Sequence, residues 1–82
     1  MIDFEYGAHP HRDGLAMISG AGETKGLTMR RRERISSTTW EFHEAYVVRE
    51  EKVCLIGTCF DQWEAFSLIE GWYRDQTNYF AA

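Results

Sequence analysis

The chain has one proline and two cysteines in 82 residues, and each scarcity excludes something. Cys54 and Cys59 are the only thiols, and Met1 is not followed by a basic stretch and an apolar run. A secreted domain stapled by disulfides is therefore not expected, and reduced thiols in a cytosol are. The longest apolar run, Val53 to Ile56, falls far short of the ~20 residues that a helix needs to cross a bilayer. The chain reads as soluble and cytoplasmic. One proline and seven glycines do not suggest disorder.

Also missing is any residue set that identifies a reaction. The length suits one small domain, residues 1–82. At this size folding buries roughly 60% of the surface of the unfolded chain, a thin core with little room for a deep catalytic cavity. Thirteen acidic against nine basic residues give −4, which argues against a general nucleic-acid binder and against binding an anionic membrane by bulk charge. What the chain has in quantity is aromatics, 15% of the residues.

The alternation Ile2, Phe4, Tyr6 against Asp3, Glu5 predicts a first strand. Gly7 to Gly14, with His9-Pro10-His11 and Asp13-Gly14, reads as a loop, and Leu15 to Ser19 as a second strand. Gly20 to Gly26 carries three glycines and is expected to be a flexible hairpin loop. Leu27–Ile35 and Trp40–Arg49 predict two longer strands joined by the four-residue loop Ser36-Ser37-Thr38-Thr39. Pairing Ile35 with Trp40 sets Arg34 opposite Glu41, Arg32 opposite His43, Arg31 opposite Glu44, Met29 opposite Tyr46 and Leu27 opposite Val48. Leu27, Met29, Ile35, Trp40, Phe42, Tyr46 and Val48 then share one face, with an Arg31–Glu44 ion pair. The other face, with Thr28, Arg30, Arg32, Arg34, Glu41 and His43, is expected to be wet. Lys52 to Gly57 follows a tight turn at Glu50-Glu51 as the last strand.

Asp61 with Glu64 three residues later has the form of a capping box. A helix from about Gln62 to Arg74 follows, with Ala65, Phe66, Leu68, Ile69, Trp72 and Tyr73 on one arc. This helix is expected to cover the apolar sheet face. Trp63 falls on the polar side, near Glu70 and Arg74. Asp75 to Ala82 reads as a tail in which Tyr79 and Phe80 need cover. The fold class is α+β: an antiparallel meander of four or five strands on one C-terminal helix.

His9, His11, Cys54 and Cys59 are ligands that zinc accepts, but the cysteine spacing is not that of a zinc knuckle, and Cys54 suits a strand as a small hydrophobe. No metal and no cofactor are expected. Cys59 near a helix start could act as an activated thiol, for which the chain has no evident pocket. Arg30, Arg32 and Arg34 point the same way on a strand and can grip carboxylates or phosphates, although Glu33, Glu41 and Glu44 neutralise part of their charge. Glu50, Glu51, Asp61, Glu64 and Glu70 could act in the opposite sense, as a nucleic-acid mimic. Trp40, Phe42, Phe66 and Trp72 are assigned to the core. Trp63 and the Tyr79-Phe80 pair are of the types enriched at interface hot spots, and so many aromatics allow either a homodimer or a partner surface.

Antiparallel strands, the capped aromatic helix from Asp61 to Arg74, an acidic balance and no catalytic constellation together resemble the small phage-encoded antagonists of bacterial defence, the anti-CRISPR proteins among them. The resemblance is one of architecture over the whole length. It implies a non-enzymatic protein that occludes a functional surface of a host defence complex. The expected contact residues are Arg30, Arg32 and Arg34, with Trp63, Glu64 and Glu70 as a second surface. The alternatives are a nucleic-acid module on the arginine strand and a zinc or thiol site at His9, His11, Cys54 and Cys59.

Overall fold

The computed structural model describes residues 4–9 and 12–81, with side chains as far as Asp75. Ile2, Pro10, His11 and the side chains of Tyr79 and Phe80 lie outside the described residues. Strands β1 (Phe4–Ala8), β2 (Leu15–Gly20), β3 (Glu23–Ile35), β4 (Thr38–Arg49) and β5 (Lys52–Cys59) form one antiparallel sheet in sequence order, and helix α1 (Gln62–Ala81) packs on it. This is the expected α+β meander. Its connectivity follows from short links, since β2–β3, β3–β4 and β4–β5 are each joined by two residues. Positive φ at Ala21, Gly22, Ser36, Glu50 and Glu51 gives these turns the backbone twist that right-twisted strands require.

Two loop expectations are corrected. Gly20 to Gly26 is not a flexible loop, because only Ala21 and Gly22 turn and β3 begins at Glu23. The Ser36 to Thr39 loop shrinks to Ser36-Ser37, so Ile35 pairs with Thr38 rather than Trp40. The register moves by two residues, to Arg34↔Thr39, Arg32↔Glu41, Arg30↔His43, Met29↔Glu44 and Leu27↔Tyr46. Two residues is one full side-chain period, so each residue keeps its face. Arg31 and Glu44 still meet, diagonally rather than directly opposite, through Arg31 Nε and Glu44 Oε1. The Tyr46 hydroxyl donates to the same oxygen at 2.9 Å.

The larger correction concerns which face the helix covers. The core is Ala16, Ile18, Ala45 and Val47 from the sheet with Ala65, Phe66 and Ile69 from the helix, and Thr28 is buried among them. These sheet residues alternate with the large apolar set, so α1 lies on the side expected to be wet. The reason is steric. That side is floored by small residues, Ala16, Gly26, Thr28, Ala45 and Gly57, over which a helix can come close. Each of Ile18, Val47, Phe66 and Ile69 contributes roughly 1.5–3 kcal/mol by leaving water.

Two β-bulges refine this floor. The register shifts between Ile18 and Ser19 leave Lys25 as an extra residue before Gly26, and those between Ala45 and Tyr46 leave Ile56 extra before Gly57. Lys25 reaches the Tyr73 ring and Ile56 packs on the core, so in both cases the inserted residue and the glycine after it face the helix. A Cβ on Gly26 would meet Tyr46 O at 2.7 Å, Ile69 Cγ2 at 2.8 Å and Ile18 Cγ2 at 2.9 Å. Only glycine fits there.

The helix starts as expected. The Glu64 amide donates to Asp61 Oδ1 at 2.8 Å, and Glu64 Oε2 accepts from the Phe60 amide at 3.4 Å. It does not stop at Arg74 but continues to Ala81, so the expected tail is helix, because no glycine or proline follows Gly71 to end it. The Tyr73 hydroxyl ties its middle to the sheet, 2.6 Å from the Lys25 carbonyl and 3.0 Å from that of Val48.

Candidate functional site

With α1 on the small-residue side, no layer of the described residues lies above the other face of the sheet. It carries Leu15 and Met17 from β2, Leu27, Met29, Arg31 and Ile35 from β3, Trp40, Phe42, Glu44, Tyr46 and Val48 from β4, and Val53 and Leu55 from β5. Ile35, Trp40, Val53 and Leu55 are each more than half exposed, and the rest of the apolar set is half-buried by cross-strand neighbours alone. Trp40 and Phe42, expected in the core, stand on this face instead.

The charges of this face are arranged around its apolar middle. Arg31 and Glu44 hold each other there, and Tyr46 completes the cluster. The Arg31 guanidinium holds the Glu44 carboxyl below the usual range, with burial opposing and the Tyr46 hydroxyl assisting. Each of these polar groups has a partner within the chain, so dehydrating the face does not orphan one. Glu5 and Glu33 lie on the same face in β1 and near the far end of β3. A shallow, open concavity of about 460 Å³ borders the face at the β2–β3 turn, between Glu5, Met17, Ser19 and Thr24.

Arg30, Arg32 and Arg34 lie on the helix side of the sheet, toward the Ser36-Ser37 end of the β3–β4 hairpin. Arg30 is held by Asp13 at 2.6 Å and lies 3.5 Å from Glu41, which also takes Arg32 at 3.2 Å. Arg34 has no ionic partner among the described residues. The ladder therefore carries much of its own counter-charge, and only Arg34 offers a free guanidinium.

Trp63 is 71% exposed, yet its ring meets those of Tyr6 and Phe66 edge-on, with centroids 6.4 and 5.9 Å away. It shares a helix stripe with Glu70, seven residues on, while Glu64 is turned about 100° away and occupied in the cap. The six residues expected to bind a partner thus form two separate sets, the hairpin arginines and the first turns of α1.

The zinc and thiol alternatives meet the sheet geometry. His9 follows edge strand β1 and both cysteines lie on the opposite edge, β5. Four strand spacings, roughly 19 Å, separate these edges, too far for one ion. Among the described residues no three His, Cys, Asp or Glu side chains gather to hold a metal. The Cys59 thiol, which the activated-thiol alternative needs lowered by the helix start, is pushed the other way by burial, with the Glu64 and Asp61 carboxylates adding to it.

The signal for the open face was present as a size alternation. Along β3 the odd positions are Leu27 and Met29 and the even ones Gly26 and Thr28; along β4, Ala45 alternates with Glu44 and Tyr46. A helix seeks the side it can approach closely, and hydrophobicity alone does not show which side that is. Comparison with protein-family models, with curated proteins and with solved structures finds no match to this chain.

Proposed function

We propose that the chain is a non-enzymatic protein-interaction module that docks through the uncovered face of its sheet. The observation that carries this reading is the row Leu27, Met29, Phe42, Tyr46, Val48 and Leu55, a face built like one half of a core and left facing solvent. Contiguous apolar surface of this kind marks interaction sites in folded proteins. The Arg31–Glu44–Tyr46 cluster adds the satisfied polar contact that interfaces carry among apolar ones.

Binding of this kind acts by occlusion, and the resemblance to phage-encoded antagonists names a bacterial defence complex as the partner class to try first. Arg34, at the end of the β3–β4 hairpin, would then supply a contact at the periphery. The test is cross-linked capture with wild type, Met29→Lys, and the Arg30/Arg32/Arg34 triple change to Glu. Met29→Lys is expected to lose the cross-linked partners, and the triple variant to keep most of them. Recovery of the same partners by Met29→Lys would remove the role given to the sheet face.

A further inference from the structure

We infer that the occupant of the open sheet face is a second copy of this chain, packed sheet against sheet with the two helices outside. The inference rests on the reading of that face as a docking surface and names what docks. Two observations favour self-association. The face is a broad antiparallel sheet rather than a groove, and the surface that fits a twisted sheet over its whole area is another sheet, stacked at about 10 Å with strands near −30°. A second copy supplies one.

Charge is the second. The chain carries −4, yet the middle of this face holds only the mutually paired Arg31 and Glu44, so two copies meet there through patches of no net charge. Carboxylates that would repel across the pair, Glu5 and Glu33, stand outside the apolar middle. In the dimer Leu27, Met29, Phe42, Tyr46, Val48 and Leu55 from each copy close a second core between the two sheets. The arginine ladder and Trp63, on the helix side, lie outside this interface.

Sedimentation velocity of the purified chain at micromolar concentration tests this. Wild type and Ser67→Lys, a change on the exposed side of α1, are expected to sediment as dimers. Met29→Lys and Leu55→Lys, with unchanged far-ultraviolet circular dichroism, are expected to be monomers, their dimerisation weakened on the order of a hundredfold by a charge buried without a partner. Should either variant unfold, fluorine NMR of the wild type labelled with 5-fluorotryptophan gives the same answer: on dilution the Trp40 resonance shifts while those of Trp63 and Trp72 do not. A wild-type monomer overturns the inference, as does a dimer that survives both lysine variants or a dilution shift at Trp63 in place of Trp40. A wild-type monomer whose capture of a foreign protein is abolished by Met29→Lys overturns the self-association and leaves the docking face standing.

Discussion

Gly26 lies directly beneath Ile69, so close that a Cβ at position 26 would stand 2.8 Å from the Ile69 Cγ2 and 2.7 Å from the Tyr46 carbonyl oxygen. The helix is seated on that glycine, and backbone cannot give way as a side chain can. Gly26→Ala is expected to destabilise the fold by about 1–3 kcal/mol, the cost of overpacking a tight core. At Gly57 the added methyl would meet Leu68 Cδ2, the end of a partly exposed side chain that can rotate away. Gly57→Ala should cost much less, and urea unfolding of the two variants measures the difference.

Tyr73 holds the middle of the helix to the sheet through the Lys25 and Val48 carbonyls. Tyr73→Phe removes the donor and is expected to cost about 1 kcal/mol. Burial pushes the Tyr73 phenol above its ordinary value, with the Lys25 and Arg49 cations pulling against it. A raised folded-state pKa gives a contribution complete below the ordinary value near 10 and lost as pH rises through the folded value. Wild type should therefore lose stability above about pH 10 more steeply than Tyr73→Phe, as thermal melts across that range would show.

The acid side belongs to Glu44. Its folded-state pKa is depressed, chiefly by the hydrogen bond from Arg31, so its contribution is present above the ordinary carboxylate value and disappears as pH falls through the folded one. Between about pH 5 and pH 3 wild type is expected to lose more stability than Glu44→Gln, the two curves converging at the acid end. Parallel curves across that interval would show that the Arg31 pair does not stabilise the fold.

The β4–β5 turn is built from residues poorly suited to it. Glu50 and Glu51 have φ of 51° and 65°, conformations in which a side chain costs roughly 1 kcal/mol or more, and their charges are adjacent. Replacing them by Asn-Gly, the pair this turn favours, is expected to raise stability by about 1–2 kcal/mol. Calorimetry checks it, and no gain would mean that the turn is not strained.

The strands, their order and the helix start were legible because alternation and the Asp61–Glu64 spacing are local signals. Register was less so: Ser36 to Thr39 is equally polar as a four-residue loop or as a two-residue turn with two strand ends, and only the pairing of Ile35 with Thr38 decides. The covered face was misread because Leu27, Met29 and Trp40 outweigh Gly26, Thr28 and Ala45 in hydrophobicity, whereas the helix is placed by closeness of approach. Lys25 and Ile56, the extra residues of the bulges, leave no mark in a period-two reading. Among the expected contact residues, the neutralising Glu41 was legible across the hairpin, but the hold on Arg30 by Asp13, seventeen residues away and outside the hairpin, was not.

The central claim is that the uncovered sheet face, rather than the helix side, is the docking surface. It is tested most directly by placing a photo-cross-linking amino acid at Phe42, on that face, or at Trp63, beside the helix, and irradiating each folded protein with its partners present. Covalent adducts, to a second copy or to another protein, are predicted from position 42 and not from position 63. Adducts from position 63 with none from position 42 would contradict the account.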